Sequence, residues 1–192
     1  MQSIILNKVR ATRKGVKSKP QNGFMSLELG LVLLIVALAI VAAVLYYRDN
    51  LRKTAINTTT QQILSVSSNL RAKYGQANKF GAITTSVAVR AGVIPEFLRD
   101  GTGTTATNPY GGAITLVPAS LNGTNDSVQV TWPNVPKDQC SDIVTNIERE
   151  MRQVSVGSTV VKDGGGPMDI EALETACDAA TAVTIDFWVG RS

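Results

Sequence analysis

Few side chains in this chain are equipped for chemistry, and their types exclude most of it. None of the 192 residues is a histidine, which removes the commonest general base near neutral pH and the commonest metal ligand. Two carboxylate pairs stand at helical spacing, Asp138 with Asp142 and Glu171 with Glu174, so each pair could share a helix face. Neither is bracketed by a nucleophile or an electrophile, and solvated helix charge is the plainer reading than acid–base work. Asp126 and Asp163 fall in turn-like surroundings without the serial oxygen ligands of a Ca²⁺ loop. Cys140 and Cys177 are the only cysteines; their wide separation suits neither a zinc motif nor a redox pair, leaving a disulfide as the first reading and a metal pair or reactive thiol behind it. Gly111-Gly112 lacks the lysine and helix start that a phosphate cradle needs. No enzyme activity, cofactor or metal is expected.

The carboxylate in the strangest place is Glu28. From Phe24 to Tyr47 it is the only charged residue in a run of apolar and small side chains. A carboxylate in apolar surroundings must find a partner or lose its charge. An amine would serve: cutting after Gly23 would free the α-amino group of Phe24, one helical turn from Glu28 on the same or a packed neighbouring helix. At about 4 Å and an effective dielectric near 20, the Coulomb attraction of such a pair is about 4 kcal/mol before desolvation.

The charge distribution supplies a topology. Lys8, Arg10, Arg13, Lys14, Lys17 and Lys19 precede the apolar run with no acid among them. Without these six, thirteen basic residues face fifteen acidic ones, so the formal charge of +4 belongs to the leader and not to the rest. A nucleic-acid-binding surface is not expected; the leader reads as a positive-inside signal, with a lipid- or nucleic-acid-binding arm as the lesser alternative. The uncharged stretch Leu29–Tyr47 exceeds the roughly 7–15 residues of a signal-peptide core and suits a membrane-spanning helix. Ala37-Leu38-Ala39 imitates a conventional cleavage site but lies in the middle of the run. Tyr46, Tyr47 and Arg48 read as an interfacial belt, which places everything after Arg48 across the membrane.

These features require a particular scaffold. Leu51, Ala55, Thr59, Ile63, Val66, Leu70 and Tyr74 recur at spacings of four and three, one stripe along a helix that continues from the apolar run. With no proline from Phe24 to Tyr74, a helix of about 75 Å is predicted at 1.5 Å per residue. Beyond Gly75 the pattern predicts a short helix at 87–90, a polar loop at 101–107 and a turn at Asn108-Pro109-Tyr110-Gly111-Gly112. A hairpin follows, 113–117 with 128–132, joined through Asn122-Gly123-Thr124-Asn125. A helix at 137–154 rests on the repeat Ile143, Ile147, Met151, Val154; a strand is predicted at 158–161, a helix at 168–180 and a central strand at 183–189. The expected class is α+β, a long helix packed on an antiparallel sheet.

Gly23-Phe24-Met25-Ser26-Leu27-Glu28-Leu29, between a basic leader and an apolar run, resembles the processing site of type IV prepilins. The resemblance implies a leader, residues 1–23, removed by a prepilin peptidase at Gly23; N-methylation of Phe24 as the new first residue; and Glu28 with Phe24 as the pair that docks subunits. A leader of 23 residues and a mature chain of 169 look like the type IVb subclass, although Phe24 as first residue is commoner in type IVa. The Asn108-Pro109-Tyr110-Gly111-Gly112 element also resembles one that precedes the first strand in some type IVb pilins. The implied organisation is a membrane or filament-core helix over 24–47, its amphipathic continuation over 48–74 and a head over 75–192. With the head in an oxidising space, Cys140 and Cys177 are expected to pair, and the resemblance implies that their disulfide bounds a variable region, 140–177. Closing that loop of about 37 residues would constrain the unfolded chain by roughly 3–4 kcal/mol.

The implied function is that of a structural pilus subunit in a Gram-negative type of cell. It is held N-in in the inner membrane as a single-pass precursor, then exported into an extracellular homo-oligomeric filament for adhesion, bundling or conjugation. The implied partners are the peptidase, the assembly machinery, the lipid bilayer and a host or partner cell surface. Two alternatives share parts of the pattern: a secretion-system pseudopilin, and an uncleaved single-span receptor.

Overall fold

The computed structural model describes residues 24–76 and 80–190, with side chains from Glu28 onward. The chain divides into two compact units, one ending at Tyr47 and one starting at Arg48. Helix α1 runs from Phe24 to Leu70; Gly30 is the one glycine within it and proline is absent, so nothing local interrupts the ladder. Its hydrogen bonding widens to a π-type turn over Arg71–Gly75. The predicted end at Tyr74 is thus reached, but in a different helical geometry.

In the second unit, α1 buries Ile56, Ile63, Val66 and Leu70 in the same core as the sheet. Leu51, predicted to belong to this stripe, is instead 52% exposed, and Ile56 is the first fully committed residue. The buried face also takes Thr59, Thr60 and Ser67, polar side chains short enough to fit between a helix and its neighbours.

Five strands form one sheet in the order β1-β2-β5-β3-β4, every neighbouring pair antiparallel. They are β1 (Thr115–Ala119), β2 (Ser127–Pro136), β3 (Gln153–Val156), β4 (Thr159–Lys162) and β5 (Ala182–Gly190). β5 is central, as the 183–189 pattern predicts: Val130 of β2 faces Phe187, and Val154 of β3 faces Phe187 from the other side. Val183, Ile185, Phe187 and Val189 are all buried, the period of two that aims alternate side chains at one core. β2 is longer than the predicted 128–132. It passes a bulge between Trp132 and Val135, where Asn134 takes the left-handed region at φ 62°, and this re-aims the strand toward the next helix.

Helices α2 (Thr85–Arg90), α3 (Lys137–Ile147) and α4 (Ile170–Asp178) complete the head. Thr84 caps α2 through its hydroxyl on the Val87 N–H, and Asp169 caps α4 on the Ala172 N–H at 3.0 Å. The predicted helix at 137–154 is corrected: α3 stops at Ile147, a 3₁₀ turn covers Glu148–Glu150, and Val154 lies in β3. Met151 and Val154 keep helical spacing by coincidence. Both are buried, and the β-branched run from Val154 finds the unpaired edge of β5, a tertiary partner that outweighs local helix preference.

Candidate assembly surface

The first unit supplies an unusual surface. Every large aliphatic side chain from Leu29 to Leu45 is between 47% and 63% exposed, on all sides of the helix, and Tyr46 and Tyr47 are more exposed than half. This helix is long and apolar enough to cross a membrane. An all-round apolar helix has no solvent-facing side and is stable only where lipid or other helices cover it. Glu28 is exposed at the start of this stretch. Residues 1–23, including Gly23, and the side chain of Phe24 lie outside the described residues.

The head is built differently, and its polar side chains are spent on holding elements together. Within Asn108-Pro109-Tyr110-Gly111-Gly112, the buried Asn108 accepts from the Tyr110 N–H at 3.0 Å and the Gly112 N–H at 2.8 Å, and donates to the Pro133 carbonyl at 2.5 Å. Gly111 has φ +76°, and a Cβ on Gly112 would come within 2.8 Å of the Pro133 carbonyl oxygen, so both positions need glycine. The turn presents Tyr110, whose hydroxyl donates to Gln139 of α3 at 2.7 Å and meets the Thr59 hydroxyl of α1 at 3.0 Å. Burial pushes the Tyr110 phenol above its ordinary value; the Thr59 hydrogen bond opposes this and the Asp138 charge adds to it. The phenol therefore stays a neutral donor, a clasp between two helices.

The carboxylate pairs have structural partners. Arg52 of α1 lies 3.1 Å from Asp142 and 3.8 Å from Asp138, so this pair is the acidic half of an exposed α1–α3 contact. Glu174 accepts from the Ser141 hydroxyl at 2.5 Å, again between helices, while Glu171 is exposed. Cys140 of α3 and Cys177 of α4 form a disulfide and are buried. Beside it Lys137 and Asp178 pair at 2.7 Å; that hydrogen bond and then the mutual charge hold the lysine above and the aspartate below their ordinary values.

Asp126 is a loop organiser. Its carboxylate accepts from the backbone N–H groups of Leu121, Asn122 and Gly123 at 2.8, 3.0 and 3.0 Å. Burial works to raise its pKa, and these three N–H groups together with its own backbone N–H outweigh that and hold the carboxyl below its usual range. Asp163 is exposed, its carbonyl accepting from the Gly166 N–H at 2.8 Å. Among the described residues, no three His, Cys, Asp or Glu side chains converge as a cation set.

Like the Tyr110 and Arg52 contacts, two links near the end of α1 are invisible to sequence reasoning. Arg71, at the π turn, pairs with Glu150 at 2.8 Å and also donates to the Glu150 carbonyl. Asn69 donates to the Val93 carbonyl at 2.9 Å. No local pattern announces either, because their partners are distant in sequence.

Both the sequence and the fold of this chain have counterparts in known proteins. The chain is 23% identical to the major structural subunit of bundle-forming pilus of Escherichia coli O127:H6 over 175 residues, 89% of this chain and 90% of that one. The fold matches TcpA, a type IV pilin of Vibrio cholerae El Tor biotype, with a TM-score of 0.52 at 17% identity, covering 70% of this chain and 98% of that one. It also matches the type IVb pilin of Salmonella typhi with a TM-score of 0.54 at 19% identity, covering 68% and 97%. A family model described as PilS N terminal matches residues 53–189, most of the chain and nearly all of the head, and the chain therefore belongs to that family, with the fold of the type IV pilins.

Proposed function

We propose that this chain is a structural subunit of a type IVb pilus, made as an inner-membrane precursor and polymerised through α1 into an extracellular filament. In this reading residues 1–23 hold the N-terminus in the cytoplasm, residues 24–47 form first the membrane anchor and then the filament core, and 48–74 connect the core to the head, 75–192. A prepilin peptidase cuts after Gly23, and Phe24 becomes the N-methylated first residue.

The observation that carries the reading is Glu28: one carboxylate on a helix whose remaining surface is apolar on every side. In lipid that charge has no partner. Against the Phe24 amine of the subunit already at the filament base, two charges are neutralised together, and a wrong register would leave both unpaired. Apolar packing of the helices then stabilises the fibre. The contact is heterologous, since the acid of one subunit meets the amine of another, and its repetition without closure produces a helix. Relatives that are pilus structural subunits support a non-enzymatic, self-associating role.

Purified filament protein is expected to begin at Phe24 on N-terminal sequencing; a start elsewhere would refute processing at Gly23. Glu28→Ala is expected to be processed normally but to leave sheared filament at least about tenfold reduced, since the attraction lost is worth more than the roughly 1.4 kcal/mol that a factor of ten represents. Normal filaments from that variant would contradict the docking role.

A further inference from the structure

The loop between β1 and β2 holds a reactive linkage that assembly through residues 24–47 does not use. Asn122 and Gly123 are consecutive and exposed, as are Thr124 and Asn125 after them. Asparagine before glycine is prone to one spontaneous reaction, because glycine has no side chain to hinder it. The glycine nitrogen attacks the asparagine side-chain carbonyl carbon: an N–Cγ bond forms, the bond from Cγ to the amide nitrogen breaks, and the N–H proton ends on the departing ammonia. Water then opens the five-membered imide at either carbonyl, leaving aspartate or isoaspartate. One water enters and one ammonia leaves, with no oxidant or reductant.

The fold does not demand glycine at this position. Gly123 lies outside the left-handed region, and a Cβ on it would meet only Asp126, at an ordinary 3.9 Å. The labile pair is therefore not the by-product of a turn that only glycine could make.

What the loop supplies is a guard. The Gly123 N–H donates to Asp126 Oδ2 at 3.0 Å, and the same carboxylate accepts from Asn122 at 3.0 Å and Leu121 at 2.8 Å. An imide nitrogen is planar, so the new N–Cγ bond must point where the N–H bond pointed. In the folded loop Asp126 Oδ2 takes that direction, and the Asn122 side-chain carbonyl cannot occupy it as well. Charge acts in the same sense: a carboxylate is far too weak a base to remove a backbone amide proton, and its negative charge opposes an amide anion beside it.

We propose that Asn122-Gly123 is a deamidation site that Asp126 holds closed in the folded head and that opens when this carboxylate releases the Gly123 N–H. Once open, the change is one-way. Aspartate at 122 sets a second carboxylate beside Asp126, and isoaspartate adds a methylene to the main chain between two of the N–H groups that Asp126 binds, so either product weakens the connection of β1 to β2.

Peptide mapping by mass spectrometry on the full chain, in dodecylphosphocholine micelles at neutral pH, tests this and separates residue 122 from the other Asn-Gly pair, Asn22-Gly23. The native chain is expected to deamidate at 122 at least about tenfold more slowly than the same chain in guanidinium chloride, and Asp126→Ala to recover most of that factor. Asp126→Asn, which keeps the shape and weakens the acceptor, is expected to fall between them, so the test stands even if the alanine variant fails to fold. Ser120→Ala deletes the hydroxyl that accepts from the Asn125 N–H at 2.9 Å in the same loop; it loosens the loop without touching Gly123 and is expected to leave the rate within about twofold. Gly123→Ala combined with Asp126→Ala is expected to slow the reaction again, since the Cβ hinders attack while the guard stays absent. Native wild type reacting at the unfolded rate, both Asp126 variants reacting at the wild-type rate, or Ser120→Ala matching Asp126→Ala would each overturn the proposal. Neither Glu28 nor filament formation enters the measurement, so its outcome is separable from that of the assembly reading.

Discussion

The α1 residues before and after Tyr47 follow opposite rules. The earlier segment is apolar around its whole circumference and carries one acid; the later one buries a single stripe, Ile56, Ile63, Val66 and Leu70, and leaves Lys53, Asn57 and Thr58 exposed. Both are helical because neither contains a breaker. They differ in what stabilises them: the second half is held by the head it helps to build, and the first needs an environment supplied from outside the chain. A long helix can therefore be one element in secondary structure and two in energetics.

The sharpest way to break that comparison is to place the same charge on each half. Leu38→Lys is expected to abolish filaments and impair membrane insertion, since a lysine at the centre of a spanning helix costs roughly 2.5–3.5 kcal/mol on insertion scales. Thr58→Lys, on the exposed side of the later half, is expected to change the head's Tm little, because surface substitutions usually stay within about 0.5 kcal/mol. Sheared-filament yield and membrane fractionation read the first, thermal denaturation the second; equal effects would erase the distinction.

Next in size comes the staple. Replacing both cysteines, Cys140→Ser with Cys177→Ser, is expected to lower the head's stability by about 2–5 kcal/mol in denaturant unfolding, while leaving insertion of residues 24–47 unaffected. A smaller loss is expected for Asp126→Asn, about 1 kcal/mol, because a neutral amide oxygen accepts the three backbone N–H groups more weakly than a carboxylate. The same group gives a pH dependence. Its folded pKa lies below the unfolded value, so its contribution is complete above the unfolded pKa near 4 and is lost as pH falls through the lower folded value. Wild type and Asp126→Asn should converge in Tm toward acid pH, and parallel curves would disprove the assignment. Smallest is Arg52→Ala: its pairs with Asp138 and Asp142 are half exposed, and a change under about 1 kcal/mol that shrinks further in salt is expected.

Much of the head was legible because patterning and chemistry agreed. Alternation over 183–189 marked the strand that becomes the centre of the sheet, and Asn108-Pro109-Tyr110-Gly111-Gly112 marked a turn by composition. What the turn does was not legible. Tyr110 reaches Thr59 and Gln139, 51 and 29 residues away, and sequence spacing carries no record of such partners. The predicted helix at 137–154 failed for a related reason: Val154 fits a helical repeat and a strand equally, and only the open edge of β5 decides between them.

By itself the sequence determined an uninterrupted helix from Phe24, with one carboxylate at the start of its apolar stretch, because backbone breakers and charge are properties of residues in order. It determined too that chemistry based on histidine is impossible, since the residue is absent. Tertiary structure alone decided the strand order, the end of α3, and the union of Asp138 and Asp142 with Arg52. Each of these is a relation between groups far apart along the chain, fixed only when burial forces their hydrogen bonds and charges to find whichever partners the packed core leaves within reach.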